Sequence, residues 1–419
     1  MKIKNTLIPL SVVLAAVCNL LLITLFARQL TAENYAHIVN IKTILLIFSS
    51  LLSLGLSQSY IYYFPKYNTS LLIENQQLRI ILFLSVVASF IAICWFLIVG
   101  FSLPQKNIFY LLMFPLFGMI MVNNELINFL RAAQKFIEVA CFIIIRSIIL
   151  IICSQVWLLL LNSTLSYPLG FLTAETILFI GLISRRKSTK GECKFPRLYF
   201  QYGITHAIII SITFAYNFAD RLIMSISNNN LIRVTEYDLA TVIPLSIFGI
   251  LGRIFNLFLF PVLSEYKNKS DYLLSIFQKY ASVYIIISSL LVFILIELSP
   301  VFTVYLFKID ISIWKDYLIH SLLAYHFLGI GAIIATIMYV IGSTKLYLLV
   351  LLLSFLIYIG SVVFSTLLYG EVNIYDIPWF LLMSTIFGTL SLILINWKRV
   401  GIFNIGLIYL PMILMGLKA

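Results

Sequence analysis

Apolar residues run through this chain in long blocks, and polar residues gather in the short gaps between them. The blocks are about 20 residues or longer, enough for a helix to cross a ~30 Å hydrocarbon core at ~1.5 Å per residue. In the first half the pattern predicts spans at Thr6–Ala27, Ile38–Tyr63, Arg79–Phe101, Asn107–Leu130, Val139–Leu161 and Leu165–Ser184. In the second half it predicts Phe200–Ser227, Tyr237–Val262, Tyr280–Leu298, Tyr317–Ile341, Leu346–Tyr369 and Ile374–Trp397. A last apolar stretch, Gly401–Leu417, is interrupted by Pro411 and is short for a crossing. It can lie in the interface, pack on the bundle or cross; absence of a crossing is the expectation.

Composition agrees with the pattern. The chain is 62% hydrophobic and 11% charged, with mean hydropathy +1.06. A soluble chain of 419 residues has no means of hiding that much apolar surface from water. The expected fold class is an all-α integral membrane protein of about twelve transmembrane helices, in two six-helix lobes around a central cavity. The expected organisation is a lobe over residues 1–184, a basic linker over 185–199, a second lobe over 200–397 and a short apolar segment over 398–419.

Charge supplies an orientation. The net charge of +12 is concentrated in short loops, as topology signals are, so no nucleic-acid partner is expected. The stretch Ser184–Tyr199 carries Arg185, Arg186, Lys187, Lys190, Lys194 and Arg197 against Glu192 alone. Basic loops resist translocation, which keeps this stretch and the N-terminus cytoplasmic; Lys and Arg then favour that side by roughly three to one. Met1-Lys2-Ile3-Lys4 and the following apolar run resemble a signal peptide, and Ala15-Ala16-Val17-Cys18 a lipoprotein site. The run continues to Ala27, so it is read as an uncleaved first helix. The five cysteines show no metal-ligand spacing, and no disulfide or metal site is expected.

The halves share faint signals. Thr31-Ala32-Glu33-Asn34-Tyr35 and later Phe64-Pro65-Lys66 in the first half find echoes in Thr235-Glu236-Tyr237 and Phe260-Pro261 in the second. Repeated halves facing each other across a cavity are a recurrent transporter design. These stretches also carry a family resemblance. Leu25-Phe26-Ala27-Arg28-Gln29-Leu30-Thr31-Ala32-Glu33-Asn34-Tyr35, followed by Leu54-Gly55-Leu56, resembles the opening of Wzx-type polysaccharide exporters. Those belong to the multidrug/oligosaccharidyl-lipid/polysaccharide exporter superfamily. Asn217-Phe218-Ala219-Asp220-Arg221-Leu222-Ile223, Tyr237-Asp238-Leu239-Ala240 and Pro261-Val262-Leu263-Ser264 look like its second-half patterns. Where the family usually has Gly beside the Tyr, Ala36 and Asp238 follow it here.

The resemblance implies flipping of an undecaprenyl-pyrophosphate-linked oligosaccharide to the periplasmic leaflet, for O-antigen or capsule biosynthesis. It implies alternating access driven by a proton or sodium gradient, no cofactor, and a bacterial inner-membrane location. Expected partners are the lipid-linked substrate, membrane lipids, and a complex with a polymerase and chain-length regulator. A multidrug or cation antiporter of the same superfamily is the alternative. A membrane-embedded polymerase or transferase is the alternative of another class. That reading is disfavoured because the outer loops are short and offer no platform of clustered polar residues; with no Walker loop, HExxH or paired catalytic carboxylates, ATP-driven transport by this chain alone is not expected.

Ionisable groups at membrane depth mark candidate sites. Glu125 and Arg146 are spaced to pair across a helical hairpin, either as a structural ion pair or with Arg146 facing a lipid pyrophosphate. Asn124, Asn128 and Arg131 share one helix face, lining a cavity or joining helices. Asp220 is the first candidate for ion coupling, ahead of Glu175 and Glu125, with a salt bridge gating the outer side as the alternative; its neighbour Arg221 is expected on a face about 100° away, so that the two do not easily meet one partner. Arg221, Arg253 and Arg28 complete the candidate substrate contacts. Gly249 and Gly252 are expected to admit a close helix approach beside Arg253, and Arg28 is alternatively only an interfacial anchor. His206 and His326 are expected as packing residues.

Overall fold

The computed structural model describes residues 2–63, 70–98, 106–133, 135–184, 197–227, 231–266, 270–307, 315–369, 376–396, 408, 409 and 411. The basic residues Arg185, Arg186, Lys187, Lys190 and Lys194, the Phe64-Pro65-Lys66 motif and most of 398–419 lie outside them.

The described chain is helical throughout. Its helices are α1 (Lys2–Gln29), α2 (Ala32–Leu52), α3 (Leu56–Tyr63), α4 (Ser70–Ile98), α5 (Lys106–Ala132), α6 (Phe136–Leu161) and α7 (Ser166–Ile183). They continue as α8 (Arg197–Ser227), α9 (Leu231–Glu265), α10 (Ser270–Phe307), α11 (Lys315–Val340), α12 (Thr344–Tyr369) and α13 (Ile377–Ile395). Eleven helices among the described residues are long and apolar enough to cross a membrane. α8 is also long, and carries Asn217, Asp220 and Arg221 in one turn. The chain is a multi-pass membrane protein. Its outward surfaces agree: Phe83, Phe90, Leu159, Leu367 and Leu394 are all more than 60% exposed, which water would penalise and lipid does not.

Most predicted spans recur within a few residues; the ninth, expected at Tyr280–Leu298, is longer at both ends as α10, and the second and third differ informatively. The second span begins at Ala32 instead of Ile38, because Thr31 caps it: its Oγ1 accepts from the Asn34 N–H at 3.4 Å, with Glu33 in the first turn. That helix then breaks. Leu54 (φ 49°) and Gly55 (φ 58°) are both left-handed, separating α2 from α3. Gly55 adopts this conformation without penalty, whereas Leu54 is strained. The third span starts at Ser70 instead of Arg79, which places Glu74 and Gln77 on the helix.

The chain divides into two compact units, Met1–Leu222 and Ile223–Ala419. α8 lies for most of its length in the first. In that unit α1 packs on α6, α6 on α7, α4 on α5, and α5 on α7. Phe26 of α1 meets Tyr167 of α7 edge-on at 5.7 Å. α6 and α7 approach closely at Gly170, where an added Cβ would lie 2.5 Å from the Ser154 Cα. The break before α3 meets α8 the same way: a Cβ on Gly55 would collide with the Gly203 carbonyl, and one on Gly203 would lie 2.6 Å from the Leu54 oxygen.

The second unit is built around α11, 83% of whose span is buried. It packs on α9, α10, α12 and α13. α12 and α13 meet at Gly388, where a Cβ would lie 2.5 Å from the Ser354 Oγ. The helix pairings of the first unit recur here: α4–α5, α5–α7, α6–α7 and α2–α4 correspond in order to α10–α11, α11–α13, α12–α13 and α9–α10. The C-terminal segment touches α11 where it is described. Ile408 is fully buried, its carbonyl lies 3.2 Å from His326 Nε2, and the Tyr409 ring is 5.6 Å from Phe327.

Candidate functional site

The polar groups of the first unit fall into three clusters. In the first, Arg146 of α6 reaches Glu175 of α7: Nη2 lies 2.6 Å and Nε 2.7 Å from the same oxygen, Oε1. Nη1 donates to Asn124 Oδ1 of α5 at 2.8 Å. Asn123, one residue earlier, donates to both the Glu175 carboxylate (2.7 Å) and its backbone carbonyl (2.8 Å). Glu175 is 1% exposed, and its charge is matched by a planar guanidinium and an amide. The partner of Arg146 is thus Glu175, not Glu125. Successive residues on α5 point about 100° apart, so Asn124 faces α6 while Glu125 turns toward α3 and α4.

The second cluster surrounds Glu125. Ser57 Oγ of α3 donates to Oε1 at 2.6 Å, and Gln77 Nε2 of α4 donates to Oε2 at 2.6 Å. The Gln77 carbonyl oxygen accepts from the Tyr199 hydroxyl of α8 at 2.6 Å. That hydroxyl also lies 3.3 Å from the Leu56 carbonyl at the start of α3, and Ser59 Oγ donates to the Tyr199 carbonyl at 2.7 Å. Glu125, Gln77, Tyr199 and Ser59 are all buried, and Ser57 is half-buried. No cationic side chain among the described residues pairs with Glu125.

In the third cluster, Asp220 and Arg221 of α8 pair with each other. Arg221 Nη1 lies 2.8 Å from both Asp220 oxygens and 2.9 Å from the Asn217 carbonyl, and neither side chain is exposed. The expectation that they diverge is corrected: the long guanidinium stem folds back over its own turn. Arg221 and Lys42 of α2 also lie over the Phe218 ring, at 5.6 and 5.9 Å.

The remaining candidates are not drawn into these clusters. Asn128 is half-buried and Arg131 exposed at the end of α5. Arg28 is exposed in the last turn of α1, where a cation suits the helix dipole. Arg253 of α9 is exposed, and Cβ atoms on Gly249 and Gly252 would meet nothing within 4 Å, so these glycines mark no close helix crossing. The sequence reading missed Ser57, Gln77, Tyr199 and Asn123. Ser57 follows the Gly55 signal, and Tyr199 closes the basic stretch; Gln77 lay just before the expected start of its span.

No family model matches the chain, and no curated protein matches it by sequence. Solved structures do match. The chain is similar to a multidrug resistance MATE family transporter of the MOP superfamily in its inward-facing conformation, with TM-score 0.73 and 12% identity. That match covers 95% of this chain and 98% of the other. The chain has the fold of MATE transporters. The outward-facing conformation of a MATE family transporter of the MOP superfamily matches at TM-score 0.65 and 12% identity, covering 95% of both chains. A MOP superfamily transporter from Pyrococcus furiosus, described as having a binding pocket of reverse polarity, matches with the same score, identity and coverage.

Proposed function

We propose that the chain is a secondary transporter of the MOP superfamily that exports its substrate by alternating access, driven by an ion gradient across the cytoplasmic membrane. The observation that carries this is the fold likeness to MATE transporters over 95% of the chain. The repeated helix pairings of the two units fit it, since inverted or repeated halves are how such carriers build two alternating states.

The substrate reading supported first is a cationic or amphipathic drug-like molecule. The likeness to multidrug resistance transporters favours it, and so does the charge pairing in the three buried clusters of the first unit. Arg146 and Arg221 are compensated by Glu175 and Asp220, whereas Glu125 has no cationic partner. These buried clusters therefore offer an anion a poorer reception than a cation. The Pyrococcus furiosus neighbour is described by its reversed pocket polarity, so polarity is read from a chain's own residues and not from the fold.

The second reading is a Wzx-type flippase of lipid-linked oligosaccharide. It is favoured by the Asn217–Ile223 and Leu25–Tyr35 patches and by Arg253 on α9, an arginine for which no acidic partner is found among the described residues. One experiment separates the two. In a deletion strain, a cation antiporter leaves surface glycan intact and raises sensitivity to cationic dyes; a flippase removes surface glycan and accumulates the lipid-linked repeat unit facing the cytoplasm. Restoration by the gene is required in either case. Accumulation of units already in the periplasmic leaflet would instead indicate a polymerase, and no phenotype in any assay would refute transport.

A further inference from the structure

Of the three buried carboxyl groups among the described residues of the first unit, Asp220 and Glu175 each face a guanidinium at 2.6–2.8 Å. Glu125 is 1% exposed and, among the described residues, faces only neutral groups. Those groups are the Ser57 hydroxyl and backbone N–H on α3, and the Gln77 amide on α4. Further titratable groups on the surrounding elements are Tyr199 of α8, bonded to Gln77, the Tyr60–Glu74 pair, bonded to each other at 2.6 Å, and Glu33, His37 and Lys42 of α2, which packs on α4 and α5. On the adjoining faces of α6 and α7, Arg146 and Glu175 neutralise one another. A bare carboxylate in such surroundings is strongly disfavoured, so a proton or a small cation must neutralise it for part of its working life.

The geometry favours the proton. A metal ion asks for oxygen ligands, yet Gln77 turns its NH₂ to Glu125 because its oxygen is held by the Tyr199 hydroxyl. We infer that Glu125 exchanges a proton through Ser57, and that Gln77 and Tyr199 form a relay carrying its protonation state to the α2–α3 break. This rests on the ion-coupled transport proposed above and names its coupling group.

With Glu125 ionised, the bonds run as observed: Ser57 and Gln77 donate to it and Tyr199 donates to Gln77. With a proton on Oε2, the carboxyl must donate. The Gln77 amide then turns over, its oxygen accepts from Glu125, and its NH₂ donates to the Tyr199 oxygen. The Tyr199 proton swings to the Leu56 carbonyl, already 3.3 Å away. Every group in the chain can both donate and accept, so each bond reverses with none lost. The proton enters from water by way of the Ser57 hydroxyl, the half-buried member. Leu56 directly follows Leu54 and Gly55, the left-handed pair that lies on Gly203 of α8. Gaining a proton thus turns the Tyr199 hydroxyl, which now bonds mainly to Gln77, wholly onto the Leu56 carbonyl beside the α2–α3 break.

The test uses full-length protein in nanodiscs and infrared difference spectra between low and high pH. A protonated carboxyl C=O band that titrates should vanish in Glu125→Gln, persist in Glu175→Gln, and shift in frequency in Tyr199→Phe, which removes the relay but keeps the ring. A band unchanged in Glu125→Gln overturns the proposal. So does a band that sodium titrates away at constant pH, which would make the site one for an alkali cation. In proteoliposomes, Glu125→Gln should lower pH-driven ethidium accumulation about tenfold, equivalent to ~1.4 kcal/mol, while gradient-free ethidium exchange continues. Wild-type vesicles that move no ethidium would overturn the cation reading of the substrate and leave the infrared result to decide the proton site.

Discussion

Arg146 and Glu175 are bound through two guanidinium nitrogens on one carboxylate oxygen, at 2.6 and 2.7 Å. The pair ties α6 to α7, and Asn124 on the third nitrogen ties both to α5. Removing one member strands the other. Arg146→Ala is expected to destabilise the folded protein by about 3 kcal/mol, the low end for a broken buried pair, because the Arg146 side chain is 24% exposed. The double replacement Arg146→Met with Glu175→Leu is expected to be less harmful than Arg146→Ala alone. Thermal unfolding in detergent checks both; equal losses would show that the pair is not the unit of stability.

Asp220→Asn leaves the Arg221 guanidinium without its countercharge in a fully buried position. Its expected effect is a loss of about 3–5 kcal/mol in stability, with the protein that does fold retaining its proton dependence. Folded yield and the pH profile of transport, measured on the same variant, check this. A normal yield with pH dependence abolished would move the coupling role from Glu125 to Asp220.

Gly203→Ala places a methyl group 2.6 Å from the Leu54 carbonyl oxygen and 2.8 Å from the Ser59 Oγ. The α8 backbone must retreat from the α2–α3 break, at an expected cost of about 1–3 kcal/mol. Gly360→Ala on α12, which meets nothing within 4 Å, is the matched control and should be neutral. Parallel melting curves would reveal the contrast.

His326→Leu removes the bond to the Ile408 carbonyl while keeping an apolar side chain on α11. Amide exchange around Ile408 and Tyr409 is expected to rise about 2- to 10-fold, as the loss of one hydrogen bond implies. Unchanged exchange would mean that the Phe327–Tyr409 ring contact alone holds the segment.

A reporter that is active only in the cytoplasm, fused within residues 185–199, should be active there. The basis is the three-to-one bias of basic residues. Activity of a periplasmic reporter at that position would invert the assignment of inside and outside.

The membrane class, the number of spans and most helix limits were legible in the sequence, since a lipid core imposes a length and a composition on each helix separately. The α2–α3 break was visible only as a glycine, Gly55, in a motif; that Leu54 shares its left-handed conformation, and that Gly203 of α8 lies against the turn, was not. The ionisable residues were legible as a set, because charge at depth is conspicuous, but their partners were not. Glu125 and Arg146 had suitable spacing for a hairpin pair, yet a rotation of 100° between Asn124 and Glu125 sent them to different neighbours. Asp220 and Arg221 looked divergent by the same helical geometry and were joined by the reach of a flexible stem. Helices and their depth follow from local pattern. Which charges are compensated, and which carboxyl is left among neutral groups, follows from how helices far apart in sequence are turned against each other, and only the tertiary structure decided that.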